Sequence, residues 1–318
     1  MELRQLRYFV GISEAGSMLK ASRHLHVAQP SLSQQIAALE RAVGAQLFQR
    51  SSRGLTLTDV GKVFLDHAKV VLADVERARA AVRDTASVPR GDVSIGLPTT
   101  VSLAATVPIL SACRQRYPEV RLRIVEAYSG FLREWLQSGR LDLAVLFGDV
   151  DDPSLERRPL LDDRLAFVTS ATGPGTPKAM PLVSIARWPL VLPGREHGLR
   201  RMIDDACAPL NITLNVVAEI EALTSVKRAV EASIGSTILP LGSVAEEVEA
   251  GRLRTSMIEK PTIVRRVVCA TSVTRPTTVA AAAVSGLIED VLRAMVDSGE
   301  WPARWVGAPA AGRAKPAG

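Results

Sequence analysis

Ser17–Glu40, SMLKASRHLHVAQPSLSQQIAALE, reads as two short helices around a tight break. Ala21, Leu25 and Val27 form an apolar edge at helix-then-turn spacing, and Leu32, Ile36 and Leu39 form the inward stripe of the second helix. Between those inward positions lie Gln29, Ser31, Ser33, Gln34 and Gln35. These side chains are short, uncharged and able both to donate and to accept hydrogen bonds, which suits base edges and phosphates in a major groove. A merely solvated helix face would carry more Lys and Glu. The stretch therefore predicts a helix-turn-helix with Pro30–Ala42 as recognition helix. Helical pairs that bind nothing can carry the same residues, so the surroundings have to decide.

Upstream, Leu3, Leu6, Phe9 and Val10 recur at helical spacing within residues 2–15, with Arg4 and Arg7 on the other side. Gly16 ends that helix and Ser17 is placed to cap the next. Downstream, Gly44 stops the recognition helix and Leu47-Phe48 returns to the core. Gln49–Leu57, QRSSRGLTL, forms a short hairpin that reads as a wing. Its Arg50 and Arg53 are the candidates for backbone or minor-groove contact. Thr58 then opens a long helix in which Phe64, Ala68, Val71, Val75, Ala78 and Val82 recur at spacings of 4, 3, 4, 3 and 4. That is a heptad seam of nearly three repeats, which predicts pairing of two copies, although a seam this short can also pack against the rest of the same chain. Ser87–Gly91, SVPRG, breaks the helix as a hinge. Residues 1–90 hold 13 Lys and Arg against 8 Asp and Glu, so +5 of the chain's +6 lies with the helix pair. Charge placed so unevenly points to a polyanionic partner for that segment.

A chain of 318 residues exceeds one ordinary core and predicts two or three domains. From Asp92 the texture changes to alternating strands and helices. Strands are expected at Val93–Leu97, Val120–Val125 and Leu141–Phe147, with helices at Val101–Arg116 and Phe131–Ser138 between them. This order predicts a mostly parallel, doubly wound sheet, with ligands outside the strand C-terminal ends. Asp151–Pro159 is polar, proline-bearing and reads as a crossover. A second unit follows, with strands at Leu165–Thr169, Leu190–Leu192 and Ile238–Pro240 and helices at Arg200–Ala208 and Leu223–Ala232. The chain returns to the first unit near Arg266–Ser272 and closes with a helix at Thr278–Val296. Two lobes joined by two crossovers leave a cleft suited to a small ligand. The Ala-, Pro- and Gly-rich tail from Gly299 is expected to be disordered, although Trp301 and Trp305 argue that its first part docks.

The run from Leu19 to Gly61 resembles the amino-terminal domain of LysR-type transcriptional regulators. The matching residues are Ala21, Leu25, Val27, Gln29, Pro30, Ser33, Leu39, Glu40, Gly44, Leu47, Phe48, Arg50, Leu57, Thr58 and Gly61. The likeness continues through Tyr117-Pro118, Gly139-Arg140-Leu141-Asp142 and Leu239-Pro240. Two departures are Ala28, where the family usually has Ser, and Gln34, where it is often basic. A lost N-cap costs roughly 0.5–2 kcal/mol. The resemblance implies an α/β protein with an all-α-rich N-terminal winged helix-turn-helix and a C-terminal two-lobed periplasmic-binding-protein-like effector domain. The domains are expected at 1–58 for DNA binding, 59–90 for the linker helix and hinge, 91–300 for the effector domain and 301–318 for the tail. The DNA-binding residues are then Gln29, Pro30, Ser31, Ser33, Gln34, Arg50 and Arg53. Effector contacts implied by the resemblance fall on Thr99, Thr100, Ser102, Ser129, Phe147, Pro193, Thr224 and Thr237. The partners implied are double-stranded DNA, a small and anionic effector, and further copies of the chain in a homodimer through the linker helix and a homotetramer.

No cofactor, metal site or membrane span is expected, and the reading is not that of an enzyme. Cys113, Cys207 and Cys269 are few and far apart, which fits a reducing cytoplasm. His24-x-His26 lacks a neighbouring Cys or carboxylate cluster and reads as a helix end rather than a metal site. Asp162 and Asp163 are adjacent, so on a strand they face opposite ways and form no acid/base pair. The alternative is a small-molecule-binding α/β protein or enzyme whose N-terminal helices serve only oligomerisation.

Overall fold

The computed structural model describes residues 1–51, 54–83, 88–148 and 152–307, without the side chains of 50, 51 and 80–83. The chain divides into two compact units, residues 1–87 and 88–318, with Ser138–Arg140 grouping with the first.

The first unit runs α1 (Leu3–Ala15), α2 (Met18–His24), α3 (Gln29–Val43), β1 (Phe48–Ser51), β2 (Gly54–Leu57) and α4 (Asp59–Arg83). Gly16 and Gly44 end α1 and α3 at φ 61° and 77°, a left-handed conformation that favours glycine. Ser17 occupies the α2 N-cap, but its hydroxyl makes no capping bond. Leu6, Phe9, Ile12, Ala21, Leu32, Ile36, Leu39, Leu47 and Phe48 form one core, and the Phe9 ring lies 5.2 Å from both Phe48 and Phe64. Glu40 ties α3 to the wing, its carboxylate accepting from the Leu47 and Phe48 N–H groups at 2.8 and 3.2 Å. Thr58 Oγ1 accepts from Gly61 N at 2.9 Å, the expected cap, and donates to the Gln46 carbonyl at 2.7 Å.

The heptad seam divides. Phe64 and Ala68 pack into the core of this same unit, so α4 belongs to it as far as Leu72. Val71 remains 39% exposed and Val75 half-buried. The Val82 side chain and the hinge residue Ser87 lie outside what can be described.

The second unit holds two lobes. In the first, β3 (Gly91–Leu97), α5 (Thr99–Arg116), β4 (Val120–Glu126), α6 (Ser129–Gln137) and β5 (Leu143–Phe147) form the expected parallel run, β3 lying between β4 and β5. Then comes β6 (Leu155–Ser170), a single strand of 16 residues that begins inside the expected crossover. The second lobe follows as β7 (Ala179–Pro181), α7 (Leu182–Ile185), β8 (Leu190–Leu192), α8 (Gly198–Cys207), β9 (Val216–Glu219), α9 (Leu223–Glu231), β10 (Thr237–Pro240), α10 (Ala245–Glu249) and β11 (Leu253–Glu259). The chain returns through β12 (Val264–Ser272), α11 (Val279–Asp297) and β13 (Ala303–Trp305).

The sheet order is β4-β3-β5-β12-β6-β11-β7, and β12 is antiparallel to both β5 and β6. The sheet is therefore mixed rather than mostly parallel, because both returning strands enter against the direction of β3–β5. β6 serves both lobes: residues 155–164 pair with β12, and 165–170 pair with β10 and β11. Each lobe has its own core, one around Ile95, Ile109 and Ile288 and one around Phe167, Val191 and Ile238. The end of the chain is more ordered than its composition suggests. Trp301 is 2% exposed and β13 pairs with β6, so the expected tail boundary at 301 falls inside a docked segment. Residues 308–318 lie outside the described chain.

Candidate DNA-binding face and inter-lobe cleft

On α3 the inward stripe and the outward row separate as the sequence predicts. Leu32, Ile36 and Leu39 are buried, while Gln29, Pro30, Ser31, Ser33 and Gln34 are exposed. Gln35 is half-turned inward and accepts from the Gln5 amide at 3.3 Å, so it supports the helix rather than facing outward. Ala28 stands at the N-cap without a side-chain bond, and Pro30 occupies the first turn, where a missing N–H costs nothing. The helix start thus presents free N–H groups beside the Ser31 hydroxyl, an arrangement suited to a phosphate. Arg50 lies on β1 opposite Leu55, its side chain undescribed, and Arg53 falls outside the described residues.

In the second unit the strand C-terminal ends converge on a cavity of about 460 Å³. It is lined from one lobe by Thr99, Leu103, Glu126, Ala127, Tyr128 and Phe131, and from the other by Glu221, Ala222, Leu223 and Thr224. Its size falls in the usual range for small-molecule sites, roughly 300–1,000 Å³. The lobes touch across it: the Tyr128 ring meets His197 edge-on at 4.9 Å, and its hydroxyl donates to Glu221 Oε2 at 3.4 Å. The Gly194 N–H holds the other Glu221 oxygen at 2.9 Å. Burial, with the Glu221 charge nearby, raises the Tyr128 phenol above its ordinary pKa.

Nearby, beyond the lining residues, lies a buried ion pair. Arg265 of β12 faces Asp163 of β6 in register, and its Nη2 donates to Asp163 Oδ2 at 2.6 Å and to Thr100 Oγ1 at 3.1 Å. The guanidinium also lies 3.7 Å over the Phe147 ring. Burial raises the Asp163 carboxyl, with the Arg265 charge opposing it. On the other face of the same strands Asp162 accepts from Arg266 of β12 and from Arg304 of β13, and the Arg266 bond leads in holding its pKa low. The two aspartates thus point opposite ways, as adjacent strand residues must.

Of the eight effector residues expected, Thr99 and Thr224 line the cavity. Thr100 and Phe147 meet Arg265 instead. The other four do not converge there. Ser102 shares a hydrogen bond with Thr106 on α5, and the Ser129 hydroxyl accepts from Phe147 N at 3.3 Å. The Pro193 carbonyl accepts from Arg200 at 3.2 Å, and Thr237 is fully buried with no partner for its hydroxyl. Glu126, Tyr128, Phe131, Glu221, His197 and the Asp163–Arg265 pair were not expected. Glu126 ends β4, Tyr128 and Glu221 lie just beyond β4 and β9, and Phe131 sits in the first turn of α6, the region where the general rule for α/β sheets places ligands. For the ion pair the available signal was a like-charged doublet, Asp162-Asp163 and Arg265-Arg266, in each of two otherwise strand-forming runs.

His197 caps α8, its Nδ1 accepting from Leu199 N at 3.1 Å. Burial leads in holding it below its ordinary value of 6.5; Arg265 and Arg201 add to this and Glu221 opposes it. As pH falls the unfolded chain takes up this proton first, so the folded unit loses stability below pH about 6.5 until His197 itself protonates. The urea midpoint of the second unit is expected to drop on acidification through that range, and to drop less in His197→Asn, which keeps a capping acceptor. An unchanged slope in the variant would remove His197 from this account.

A polar-faced helix-turn-helix joined to a two-lobed α/β unit with a cleft is the plan of a ligand-responsive DNA-binding regulator. Residues 3–62 match the family described as "Bacterial regulatory helix-turn-helix protein, lysR family", and residues 86–293 match "LysR substrate binding domain". The chain belongs to the LysR family of transcriptional regulators. It is 36% identical over 241 residues to the nitrogen assimilation regulatory protein nac of Klebsiella aerogenes, covering 76% of this chain and 78% of that one. It is 30% identical to the HTH-type transcriptional regulator BbuR of Bordetella bronchiseptica, covering 93% of this chain and 92% of the other. Among solved structures, the Corynebacterium glutamicum OxyR C206 mutant matches at TM-score 0.61 and 26% identity, over 93% and 94% of the two chains. Full-length CbnR complexed with its target DNA matches at TM-score 0.69 over 92% and 99%, and at 22% identity it shows the fold alone. Among the described residues no helix is long and apolar enough to cross a membrane.

Proposed function

We propose that Gln29, Ser31, Ser33 and Gln34 contact base edges and phosphates of a duplex operator, with Pro30 setting the helix start and Arg50 and Arg53 anchoring the wing. The observation that carries this is the outward row of amides and hydroxyls on α3, exposed above a buried Leu32–Ile36–Leu39 stripe. Two copies pair through the free part of the α4 seam, Val71 and Val75, since one recognition helix reads one half-site and a second copy supplies the other. Assembly is a homotetramer, and the protein works in the cytoplasm without catalysis. A small molecule enters the inter-lobe cleft beside Thr99 and Thr224 and biases the two lobes, and so the spacing of the paired DNA-binding units.

Titration of full-length protein onto the DNA upstream of its own gene tests the first part. Log affinity is expected to fall with log salt at about −0.9 per phosphate neutralised, and Gln34→Ala to weaken specific sites by about 1–3 kcal/mol if it reads a base. Binding that ignores salt, or no binding at all, would favour the other reading, in which the N-terminal helices only hold copies together.

A further inference from the structure

We propose that the inter-lobe cleft selects a positively charged small molecule, an organic ammonium, and discriminates against an anion. This names the ligand class for the cleft reading above and rests on it. It also reverses the anionic effector expected from the sequence.

The charge of the cavity wall is the first ground. Its carboxylates are Glu126 at the end of β4 and Glu221 beyond β9, one from each lobe, and among the described residues no Lys, Arg or His lines it. The chain as a whole carries 39 Lys and Arg against 33 Asp and Glu, so this wall runs against the overall balance. Among the described residues neither carboxylate has an ion-pair partner. Of the nearby arginines, Arg265 is committed to Asp163 and Arg200, whose side chain is only 5% exposed, to Asp204 and Glu219, while Arg201, which acts on His197, does not line the wall.

The rings are the second ground. Tyr128 and Phe131 line the same wall and stay 43% and 53% exposed, so their rings are open to a ligand. Their faces attract a cation and give an anion nothing. Glu221 is held by the Gly194 N–H and the Tyr128 hydroxyl, so one acceptor of the site is fixed in place. An ammonium entering here gains charge-assisted hydrogen bonds and π-faces. An anion sheds its water and meets two like charges. The start of α5, with its Thr99 and Thr100 N–H groups free, and the Thr224 hydroxyl leave room for an acceptor on the same molecule, so a zwitterion also fits.

Three probes sharing one aromatic body separate charge from shape: phenethylammonium, phenethyl alcohol and 3-phenylpropionate. Each is titrated by ligand-observed NMR, at millimolar concentration, against the full-length protein and its Glu126→Gln/Glu221→Gln and Tyr128→Ala variants. Circular dichroism checks that the variants fold. The ammonium is expected to bind at least about tenfold tighter than the carboxylate, roughly 1.4 kcal/mol, with the preference lost in the double variant. Equal or tighter binding of 3-phenylpropionate overturns the proposal, as does a preference that survives the double variant. If the carboxylate binds and Tyr128→Ala abolishes it, the cleft stands as ligand site and only the charge class fails. If no probe binds, or Tyr128→Ala changes nothing, the cleft reading falls as well.

Discussion

Replacing Asp163 by Ala is expected to lower the unfolding free energy of the second unit by about 3–5 kcal/mol, because it strands a buried guanidinium without its counter-charge. Arg265 and Asp163 have side chains only 4% and 0% exposed, and β6 and β12 fix their register so that neither can swing out to solvent. Thr100 and the Phe147 ring remain as partners for the orphaned cation, but neither carries charge. The paired replacement Asp163→Leu with Arg265→Met removes both charges at similar volume and is expected to recover most of the loss. Urea unfolding followed by Trp fluorescence measures both. A single variant that costs nothing, or a double variant less stable than Asp163→Ala, would show that the pair is not stabilised as described.

The second large effect is expected from Gly61→Ala in the first unit. A Cβ at this position would lie 2.1 Å from the Leu47 carbonyl oxygen, with the Leu57 side chain at 3.2 Å. The obstacle is backbone, and it is the turn that Glu40 and Thr58 hold between α3 and the wing, so it has little freedom to yield. Overpacking of this kind costs about 1–3 kcal/mol and sometimes more. The expected result is a lower thermal midpoint for the first unit and weaker operator binding, with binding in the cleft unchanged. A variant that melts and binds DNA like the parent would mean that α4 and the wing approach less closely than this.

The same glycine shows what a sequence can and cannot disclose. Gly61 was visible as part of a resemblance, but its reason, a backbone crossing at contact distance, appears only in three dimensions. The helices of the first unit were legible because periodicity and glycine stops act locally. In the second unit α5, α6, α8, α9 and α11 were legible for the same reason. Of β6 only Leu165–Thr169 was, because Pro159 and the charged residues around it read as a loop. Pro159 is tolerated in a central strand because the pairing with β12 shifts register between Val267 and Val268. The short strands β7, β9, β11 and β13 owe their state to neighbours rather than to their own residues. Ser102, Ser129, Pro193 and Thr237 lie outside the cavity lining. The cleft depends on which strand ends meet, and that is decided by pairing across more than a hundred residues.

The sharing of β6 has a consequence for how such a protein can be rebuilt. No single cut separates the lobes, since the strand that closes the first sheet is also the central strand of the second. A fragment ending before Leu155 lacks β12, the antiparallel partner of β5, and one beginning there keeps β12 on β6 but strips it of β5. Transplanting ligand specificity from one regulator to another therefore means exchanging the whole unit from Val88 onward, or altering side chains in place, because neither lobe exists as a portable module.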